Sequence, residues 1–426
     1  MLALLFASFI TLILIGIDVG LSMILSAWLG VHIKTDRVVD DILLPQFLLN
    51  GVNFYALVQI PLFILAGELM NRGGLTQRLI DWSLALVGQF RGALGHVTIL
   101  TNLIMAGISG SAVADAVATG KPLIPAMQKR GYTTGFGAAV VAAGALLGPV
   151  IPPSIPMVVY SQIANVSVIR MFLSGIVPGL MLAAGFFVLC TVIARQRGFP
   201  AEGRTDLRGK FHATGRASWA LAMPLIIILG IRMGLFTETE VAAVVVLYAL
   251  VVCMFIYRDL HTREIPGILV ESARSSAVIL FLLAAAGPFS WLVAESQISE
   301  HLVQSIRALS NDPVIILLIV NVLLLLVGSV LEPLPAMVIF VPALIPIGIQ
   351  LHLDPIHFGA VIVINLMIGM LHPPVGLLNF VVAAISGERV TTVAWQTLPF
   401  LGWSLIVLLL IILFPPLTTW LPGTLH

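Results

Sequence analysis

Groups that could bind a small ion are concentrated where two segments interrupt long apolar runs of the chain. In the first segment the motif Gly-Ile-Ser-Gly-Ser occupies residues 107–111, and Asp115 follows it by four residues. Glycine and serine favour turns and caps over the interior of a helix, so the motif predicts the tip of a re-entrant hairpin near Ser109, Gly110 and Ser111. Such a tip exposes backbone groups and hydroxyls, whose oxygens suit a hard cation such as sodium, while a helix N-terminus suits a carboxylate.

Two pairs of adjacent prolines predict a second kind of break. Pro152-Pro153 follows Gly148-Pro149, and Pro373-Pro374 follows Gly369-Met370 at the same spacing. Proline removes a backbone donor and cannot continue a helix, so each pair is expected to free the carbonyls one turn earlier. In the first copy these are the carbonyls of Gly148 and Pro149, and in the second those of Gly369 and Met370. An ordinary kink in a packed membrane helix is the alternative interpretation.

The same features occur twice in the same order. Shifting the first series by 221 residues, the separation of Gly107 and Gly328, places Gly148 on Gly369 and the first proline pair on the second. A duplicated pair of glycine- and proline-broken apolar segments is typical of secondary transporters, whose binding site lies between the repeats. We therefore expect the chain to move a solute across a membrane.

Polar side chains inside this frame are candidate ligands. Glu332 occupies the second copy at the position of Ser111, Asn365 lies four residues before the second break, and His372 adjoins the second proline pair. A carboxylate inside a membrane span is costly and usually faces protein or a water-filled cavity. Asp115 and Glu332 could therefore bind an ion, carry a proton or cap the hairpin backbone. Asn365 and His372 could contact a solute or make a structural hydrogen bond.

The composition requires that most of the chain face lipid or other apolar segments. Of its 426 residues 59% are hydrophobic and 10% charged, and the mean hydropathy is +1.09, whereas a soluble domain has about 25% charged residues. We predict an all-α polytopic membrane protein with about ten to twelve membrane segments. Clear examples lie at 1–17, 172–194, 219–231, 241–257, 314–331 and 401–415.

Residues 195–216 are predicted to link two repeats. This stretch carries six basic residues and two acidic ones, and the positive-inside rule places it in the cytoplasm. The first repeat would cover 1–194 and the second 217–426, each with scaffold helices followed by a hairpin and a broken helix. If each half crosses the membrane an odd number of times, the two copies have opposite orientations around a shared site.

Several classes of function have no support in the sequence. The formal net charge of +1 argues against nucleic acid as a partner, and the two cysteines, both in apolar runs, predict neither a disulfide framework nor a cysteine metal site. No Walker A, H-E-x-x-H or G-x-S-x-G motif is present, so we expect no enzyme. A membrane enzyme and a passive channel remain distant alternatives.

The chain resembles the large membrane subunit of tripartite ATP-independent periplasmic (TRAP) transporters over essentially its whole length. The motifs that carry the resemblance are Pro-Leu-Phe-Ile-Leu-Ala-Gly-Glu-Leu-Met at 61–70, Ser-Gly-Ser-Ala-Val-Ala-Asp at 109–115, Gly-Pro-Val-Ile-Pro-Pro-Ser-Ile-Pro at 148–156, Gly-Leu-Phe-Thr-Glu-Thr-Glu at 234–240, Asp-Pro-Ile-His-Phe-Gly at 354–359 and Pro-Pro-Val-Gly at 373–376. The chain departs from the family at His372, where Thr is common, and at Glu238, where Pro is frequent.

The resemblance implies an elevator-type carrier of the bacterial inner membrane, driven by a sodium gradient and without other cofactors. It implies two partners, a small membrane subunit on a separate chain and a periplasmic substrate-binding protein. The implied substrates are small organic acids: C4-dicarboxylates, sialic acid, other sugar acids and keto acids. A single-component dicarboxylate carrier of the wider ion-transporter group is the alternative.

The candidate site combines the residues singled out above with those that match the family's motifs. The substrate- and ion-binding candidates are Ser109, Gly110, Ser111, Asp115, Gly148, Pro149, Pro152, Pro153, Gly328, Glu332, Asn365, Gly369, Met370, His372 and Pro373. The expected sodium ligands among them are Ser109, Ser111, Gly148, Gly328, Glu332 and Gly369.

Overall fold

A computed structural model describes residues 2–34, 37–203, 205–295, 312–373 and 375–424, which contain helices and no strand. The helices are Leu2–Leu14, Val19–Lys34, Arg37–Val52, Gln59–Arg72, Leu75–Val87, Ala93–Ser109, Ala112–Lys129, Thr134–Ala145, Ile155–Ala164, Val168–Arg197, Leu207–Arg232, Glu238–Val251, Ile265–Glu295, Pro313–Val330, Pro333–Gln350, Pro355–Gly369, Leu377–Ser386, Val390–Leu413 and Pro416–Thr419. The predicted all-α class is confirmed. Pro374, the last residue of the second proline pair, lies outside the described residues.

Membrane-spanning segments are unequal in length. Within the described ranges, 7 helices combine enough length and apolar character to cross a bilayer. They include five of the six apolar stretches singled out in the sequence, whereas the stretch at 1–17 forms a helix of only 13 residues, Leu2–Leu14. The number of long spans is lower than the predicted ten to twelve because one arm of a hairpin and the arms of both broken helices are short helices of 10–17 residues.

Each half of the chain contains a helical hairpin. The first hairpin consists of Ala93–Ser109 and Ala112–Lys129, and its turn is made by Gly110, whose φ of +60° is readily adopted only by glycine, and by Ser111. The second hairpin consists of Pro313–Val330 and Pro333–Gln350, joined by Leu331 and Glu332. The predicted tip at 109–111 is therefore confirmed.

A broken helix follows each hairpin. The first broken helix has arms at Thr134–Ala145 and Ile155–Ala164, and the second has arms at Pro355–Gly369 and Leu377–Ser386. The second arm of the first broken helix packs on Pro333–Gln350 of the second hairpin. The corresponding arm of the second broken helix packs on Ala112–Lys129 of the first hairpin. This reciprocal exchange joins the two repeats into one body.

The two repeats are inverted, as their contacts with helix Val390–Leu413 show. This helix has 24 residues and is therefore about 36 Å long. The first broken helix begins beside its N-terminal end, where Gly135 faces Thr392. The second begins beyond its C-terminal end, where His357 Nδ1 lies 2.8 Å from Thr418 Oγ1. The two broken helices thus enter from opposite ends of the same helix.

Apart from Leu75–Val87, which packs on helices of both, and the short helix Pro416–Thr419, the helices divide into two groups by their packing. The inner group comprises both hairpins, both broken helices and the helices Val168–Arg197 and Val390–Leu413, which pack on one another. The outer group comprises Leu2–Leu14, Val19–Lys34, Arg37–Val52, Gln59–Arg72, Leu207–Arg232, Glu238–Val251 and Ile265–Glu295. The polar stretch between the repeats contains the ends of two helices, because one helix continues to Arg197 and the next begins at Leu207.

Candidate functional site

A cavity of about 950 Å³ lies where the inner and outer groups meet. The first hairpin contributes its tip, from Ser109 to Ala114, and the second contributes Glu332, Pro333 and Leu334. The outer group contributes one face each of helices Gln59–Arg72 and Ile265–Glu295. Both hairpin tips predicted from the sequence therefore border the same cavity.

A buried carboxylate stands immediately behind the first tip. The Ser109 hydroxyl donates a hydrogen bond to Asp115 Oδ1 at 2.5 Å, and the Asp115 side chain is fully buried. Its other oxygen, Oδ2, has no hydrogen-bond partner among the described residues. The N-terminus of helix Ala112–Lys129 is capped instead by Ser111, whose hydroxyl accepts from the Ala114 amide at 3.4 Å. Asp115 is therefore not the cap of the hairpin.

The break in the first broken helix lies against this tip. A Cβ atom on Gly148 would come within 2.6 Å of Asp115 Oδ2, and a Cβ atom on Gly110 would come within 2.5 Å of the Pro153 carbonyl oxygen. Only glycine allows both approaches. The structure thus brings Ser109, Asp115 and Gly148 together, and the hydroxyl and carboxylate oxygens among them are of the kind that a hard cation prefers.

A polar network behind the first hairpin was not predicted from the sequence. Asn102 Nδ2 donates to the Thr98 carbonyl at 2.9 Å and to Thr119 Oγ1 at 3.2 Å. The Thr119 hydroxyl also donates to the Asp115 carbonyl oxygen at 2.7 Å. Asn102 and Thr119 are fully buried, so the network holds the two hairpin helices together beside the carboxylate. The only sequence signal was the presence of two polar residues within apolar helices.

The second tip differs chemically from the first. Glu332 occupies the N-cap position of Pro333–Gln350, but its side chain accepts no capping hydrogen bond and lines the cavity. Behind it, the backbones of Gly328 and Gly369 are in contact, since a Cβ atom on Gly369 would lie 2.6 Å from the Gly328 carbonyl carbon. These glycines allow the second hairpin to approach the second break.

Most of the carbonyls beside the proline pairs accept hydrogen bonds, contrary to the prediction that they are free. The Ser154 hydroxyl donates to the Pro149 carbonyl, the His372 amide donates to Gly369 O at 2.9 Å, and the Leu378 amide donates to Met370 O at 3.1 Å. The prediction of free carbonyls is therefore wrong at Pro149, Gly369 and Met370. It failed because the chain after each break folds back and supplies new donors. No such bond to Gly148 O is found within the described ranges.

The polar residues predicted near the second break take separate positions. Asn365 is fully buried, and its Nδ2 donates to the Asn321 carbonyl oxygen at 2.9 Å and to Asn321 Oδ1 at 2.5 Å. Its own Oδ1 has no partner in the described part of the chain, nor has His372 Nδ1. Neither residue borders the cavity, although Pro149 and Met370 do.

Five charged residues of the cavity wall were not predicted as site residues. Helix Gln59–Arg72 and helix Ile265–Glu295 each contribute an acidic and a basic residue, and the first hairpin contributes a lysine. They are Glu68, Arg72, Glu271, Arg274 and Lys121. Charged residues within otherwise apolar helices were the available signal, because such residues usually face a water-filled cavity.

Comparisons with known proteins agree with this architecture. A family model described as "Tripartite ATP-independent periplasmic transporter, DctM component" matches residues 6–417. The Vibrio cholerae sialic acid TRAP transporter large permease SiaM is 36% identical over 411 residues, covering 96% of both chains. The Rhodobacter capsulatus C4-dicarboxylate TRAP transporter large permease DctM is 35% identical over 435 residues, covering 99% of this chain and 98% of the relative.

A solved structure supports the fold independently of sequence. The crystal structure of the Alcanivorax borkumensis YdaH transporter superposes with a TM-score of 0.62 at 16% identity, covering 90% of this chain and 91% of YdaH. At this identity the likeness concerns the fold alone. The curated relatives are permease subunits of transporters, which confirms the prediction that the chain is not an enzyme.

Proposed function

The chain belongs to the DctM-component family of tripartite ATP-independent periplasmic transporters, and we propose that it carries a small organic acid across the bacterial inner membrane together with sodium ions. The observation that carries this proposal is the cavity between the two hairpin tips. Residues of both inverted repeats line this cavity, as expected for the shared site of a secondary transporter.

The cargo is proposed to be a C4-dicarboxylate, sialic acid or another sugar or keto acid. Relatives at 36% and 35% identity are named for sialic acid and for C4-dicarboxylates, and both align over almost the full chain. The cavity supports an anionic cargo, because hydroxyl groups of the first tip and cations of the walls border it. Glu332, at the second tip, would orient a hydroxyl of the cargo or take part in coupling.

Sodium is proposed to bind behind the first tip. Asp115 Oδ2 is buried and unpartnered in the described structure, Ser109 fixes the other carboxylate oxygen, and Gly148, which has no Cβ atom, leaves room beside Oδ2. A buried carboxylate without a counter-charge is costly, so a cation there would stabilise it. A second ion would bind near the second break, where Gly328, Gly369 and the unpartnered Asn365 Oδ1 lie.

Movement of the inner group past the outer group is the proposed transport step. The cavity lies along the boundary between them, so a displacement of the inner group would carry the cargo with both tips. The outer group would remain fixed and contact a separate small membrane subunit. A periplasmic binding protein would deliver the cargo on the opposite side from the basic linker.

The proposal is tested by uptake of labelled succinate and N-acetylneuraminate into proteoliposomes containing this chain and its small subunit. Uptake should require both an inward sodium gradient and the binding protein encoded with them. Uptake without the binding protein would indicate a single-component carrier. Uptake that follows a proton gradient and ignores sodium would overturn the sodium assignment.

A further inference from the structure

The cations of the cavity lie away from the hairpin tips, toward its mouth. Lys121 stands nine residues along its helix from Ala112, a rise of about 14 Å, and Arg72 stands five residues beyond Gly67, a rise of about 7.5 Å. Gly67 marks the level of the tip, since a Cβ atom there would lie 3.4 Å from Ser109 Cα. Arg274 precedes Leu282, which also lines the cavity, by eight residues or about 12 Å.

All of these displacements point to the side of the basic linker. At the end of the Lys121 helix, Arg130 forms an ion pair of 3.0 Å with Glu202 of the linker. Helix Ile265–Glu295, which carries Arg274, begins after Asp259, and Asp259 forms an ion pair with Arg78 just beyond helix Gln59–Arg72. The neighbouring Tyr257 donates to the Arg216 carbonyl oxygen of the linker at 3.1 Å. The three cations therefore surround one mouth of the cavity.

Lys121 is the cation of the mouth that has no acidic residue within one turn on its own helix. On their own helices, Arg72 has Glu68 four residues earlier and Arg274 has Glu271 three residues earlier. Lys121 and Arg274 make no ion pair with any residue that the structure describes, and both are exposed to the cavity. Glu68 adjoins Gly67 at the level of the first tip and Glu332 lies at the second tip, so the mouth itself holds three cations and one carboxylate, Glu271, and retains a positive charge.

We propose that Lys121 and Arg274 form a second anion subsite, at the mouth of the cavity and separate from the site at the hairpin tips. Its ligand is the carboxylate of a small organic acid, and to that extent the subsite rests on the proposed function. Lys121 belongs to the inner group and Arg274 to the outer group. The subsite is therefore assembled only when the two groups stand in the arrangement described.

The cargo would bind transiently at this subsite as it passes between the hairpin tips and the aqueous side where the linker lies. A positive mouth with low-dielectric walls concentrates small anions and steers them along the passage. An anion bound between the two groups would also stabilise this arrangement, since it is held by both. High concentrations of cargo on the linker side would consequently slow the return of the carrier.

A chemical-modification experiment tests the subsite without relying on transport. Ser275 lines the cavity beside Arg274, and both native cysteines, Cys190 and Cys253, are buried. The full chain carrying Ser275→Cys is placed in lipid nanodiscs and treated with a negatively charged and a positively charged methanethiosulfonate reagent. The ratio of the two reaction rates reports the electrostatic potential at the mouth.

The substitutions Lys121→Gln and Arg274→Gln together should lower the anionic-to-cationic rate ratio about tenfold at low salt, and 1 M salt should remove most of the difference. Lys121→Arg with Arg274→Lys should keep the ratio, which separates charge from misfolding. Lys129→Gln, at the exposed end of the same helix, serves as the matched control and should change the ratio little. An unchanged ratio in the double glutamine variant would overturn the proposal.

Protection by succinate distinguishes a binding subsite from a merely positive surface. Succinate should slow modification of Ser275→Cys, and this protection should weaken at least fivefold in the double glutamine variant. A changed rate ratio without protection by succinate would contradict a binding subsite. These readouts need no transport, so they test the subsite independently of the proposed function. The subsite could be supported while uptake assays overturn the proposed function, or be excluded while those assays support it.

Discussion

Ser109 donates its hydroxyl hydrogen to Asp115 Oδ1 across the turn of the first hairpin, at a distance of 2.5 Å. The bond fixes the plane of a fully buried carboxylate and directs the unpartnered Oδ2 toward Gly148 in the adjoining break. Hydroxyl, carboxylate and glycine come from two different elements of the first repeat. Their convergence is the strongest support for the proposed cation site.

Replacing Asp115 with Asn should weaken sodium coupling while preserving the shape of the site. The amide keeps the size of the side chain but removes its charge, and an interaction with a charged group is worth about 1.5–3 kcal/mol. The sodium concentration for half-maximal uptake should rise about 10- to 100-fold. The control is Asp81→Asn, on helix Leu75–Val87 outside the cavity, and equal effects of the two substitutions would contradict a special role for Asp115.

Gly148→Ala should reduce sodium-dependent uptake through steric contact. The new methyl group would lie 2.6 Å from Asp115 Oδ2, closer than van der Waals contact permits, so either the carboxylate or the break must shift. The matched substitution is Gly402→Ala, where nothing lies within 4 Å of the added atom. Dose–response curves for sodium check the prediction, which fails if Gly148→Ala behaves like Gly402→Ala.

A disulfide between residues 67 and 109 should arrest transport. A Cβ atom on Gly67 of the outer group would lie 3.8 Å from the Ser109 Cβ atom of the inner group, a separation suited to a disulfide. Uptake by the Gly67→Cys, Ser109→Cys variant should vanish on oxidation and return on reduction. Both redox states of this variant lack the Ser109 hydroxyl, so a difference in uptake between them reports the disulfide alone. Undiminished uptake after complete cross-linking would exclude movement of this tip past helix Gln59–Arg72.

Asn379→Ala should destabilise the second break. Asn379 is fully buried, its Nδ2 donates to the Leu371 carbonyl at 2.9 Å, and its Oδ1 accepts from the Thr397 hydroxyl at 3.1 Å. Truncation leaves the Leu371 carbonyl without this donor, at a cost of about 1–3 kcal/mol for a buried group, whereas the Thr397 hydroxyl keeps its bond to the Val393 carbonyl at 2.8 Å. The midpoint of thermal unfolding in detergent should fall below that of the wild type and of Ser386→Ala, whose hydroxyl makes only local bonds, donating to the Ala383 carbonyl and accepting from the Glu388 amide at 3.3 Å each. Equal midpoints would contradict this role.

The breaks were predictable because glycine, serine and proline each disfavour the interior of a helix. Gly110 at the first tip and the glycines near both proline pairs lie where their conformational freedom or small size is needed. The fixed spacing of the two copies also predicted the duplication, whereas their inversion was expected only if each half crosses the membrane an odd number of times. These features depend on residues close in sequence, or on one constant offset.

Features that depend on distant partners were not predictable. The carbonyls of Pro149 and Met370 receive donors only after the chain folds back, and Asn102 reaches Thr119 across the hairpin. Likewise, Lys121 and Arg274 are far apart in sequence, and only the packing of the inner group on the outer group brings them to one cavity. Periodicity gives no information about such juxtapositions.

The most direct test of the central claim is the simultaneous measurement of labelled sodium and labelled organic acid entering the same proteoliposomes. The vesicles contain the chain, its small subunit and the binding protein, and the wild type is compared with Asp115→Asn. The proposed mechanism predicts a fixed ratio of sodium to acid in the wild type and a lower ratio or abolished uptake in the variant. Acid uptake without sodium entry in the wild type, or an identical ratio and rate in both proteins, would contradict it.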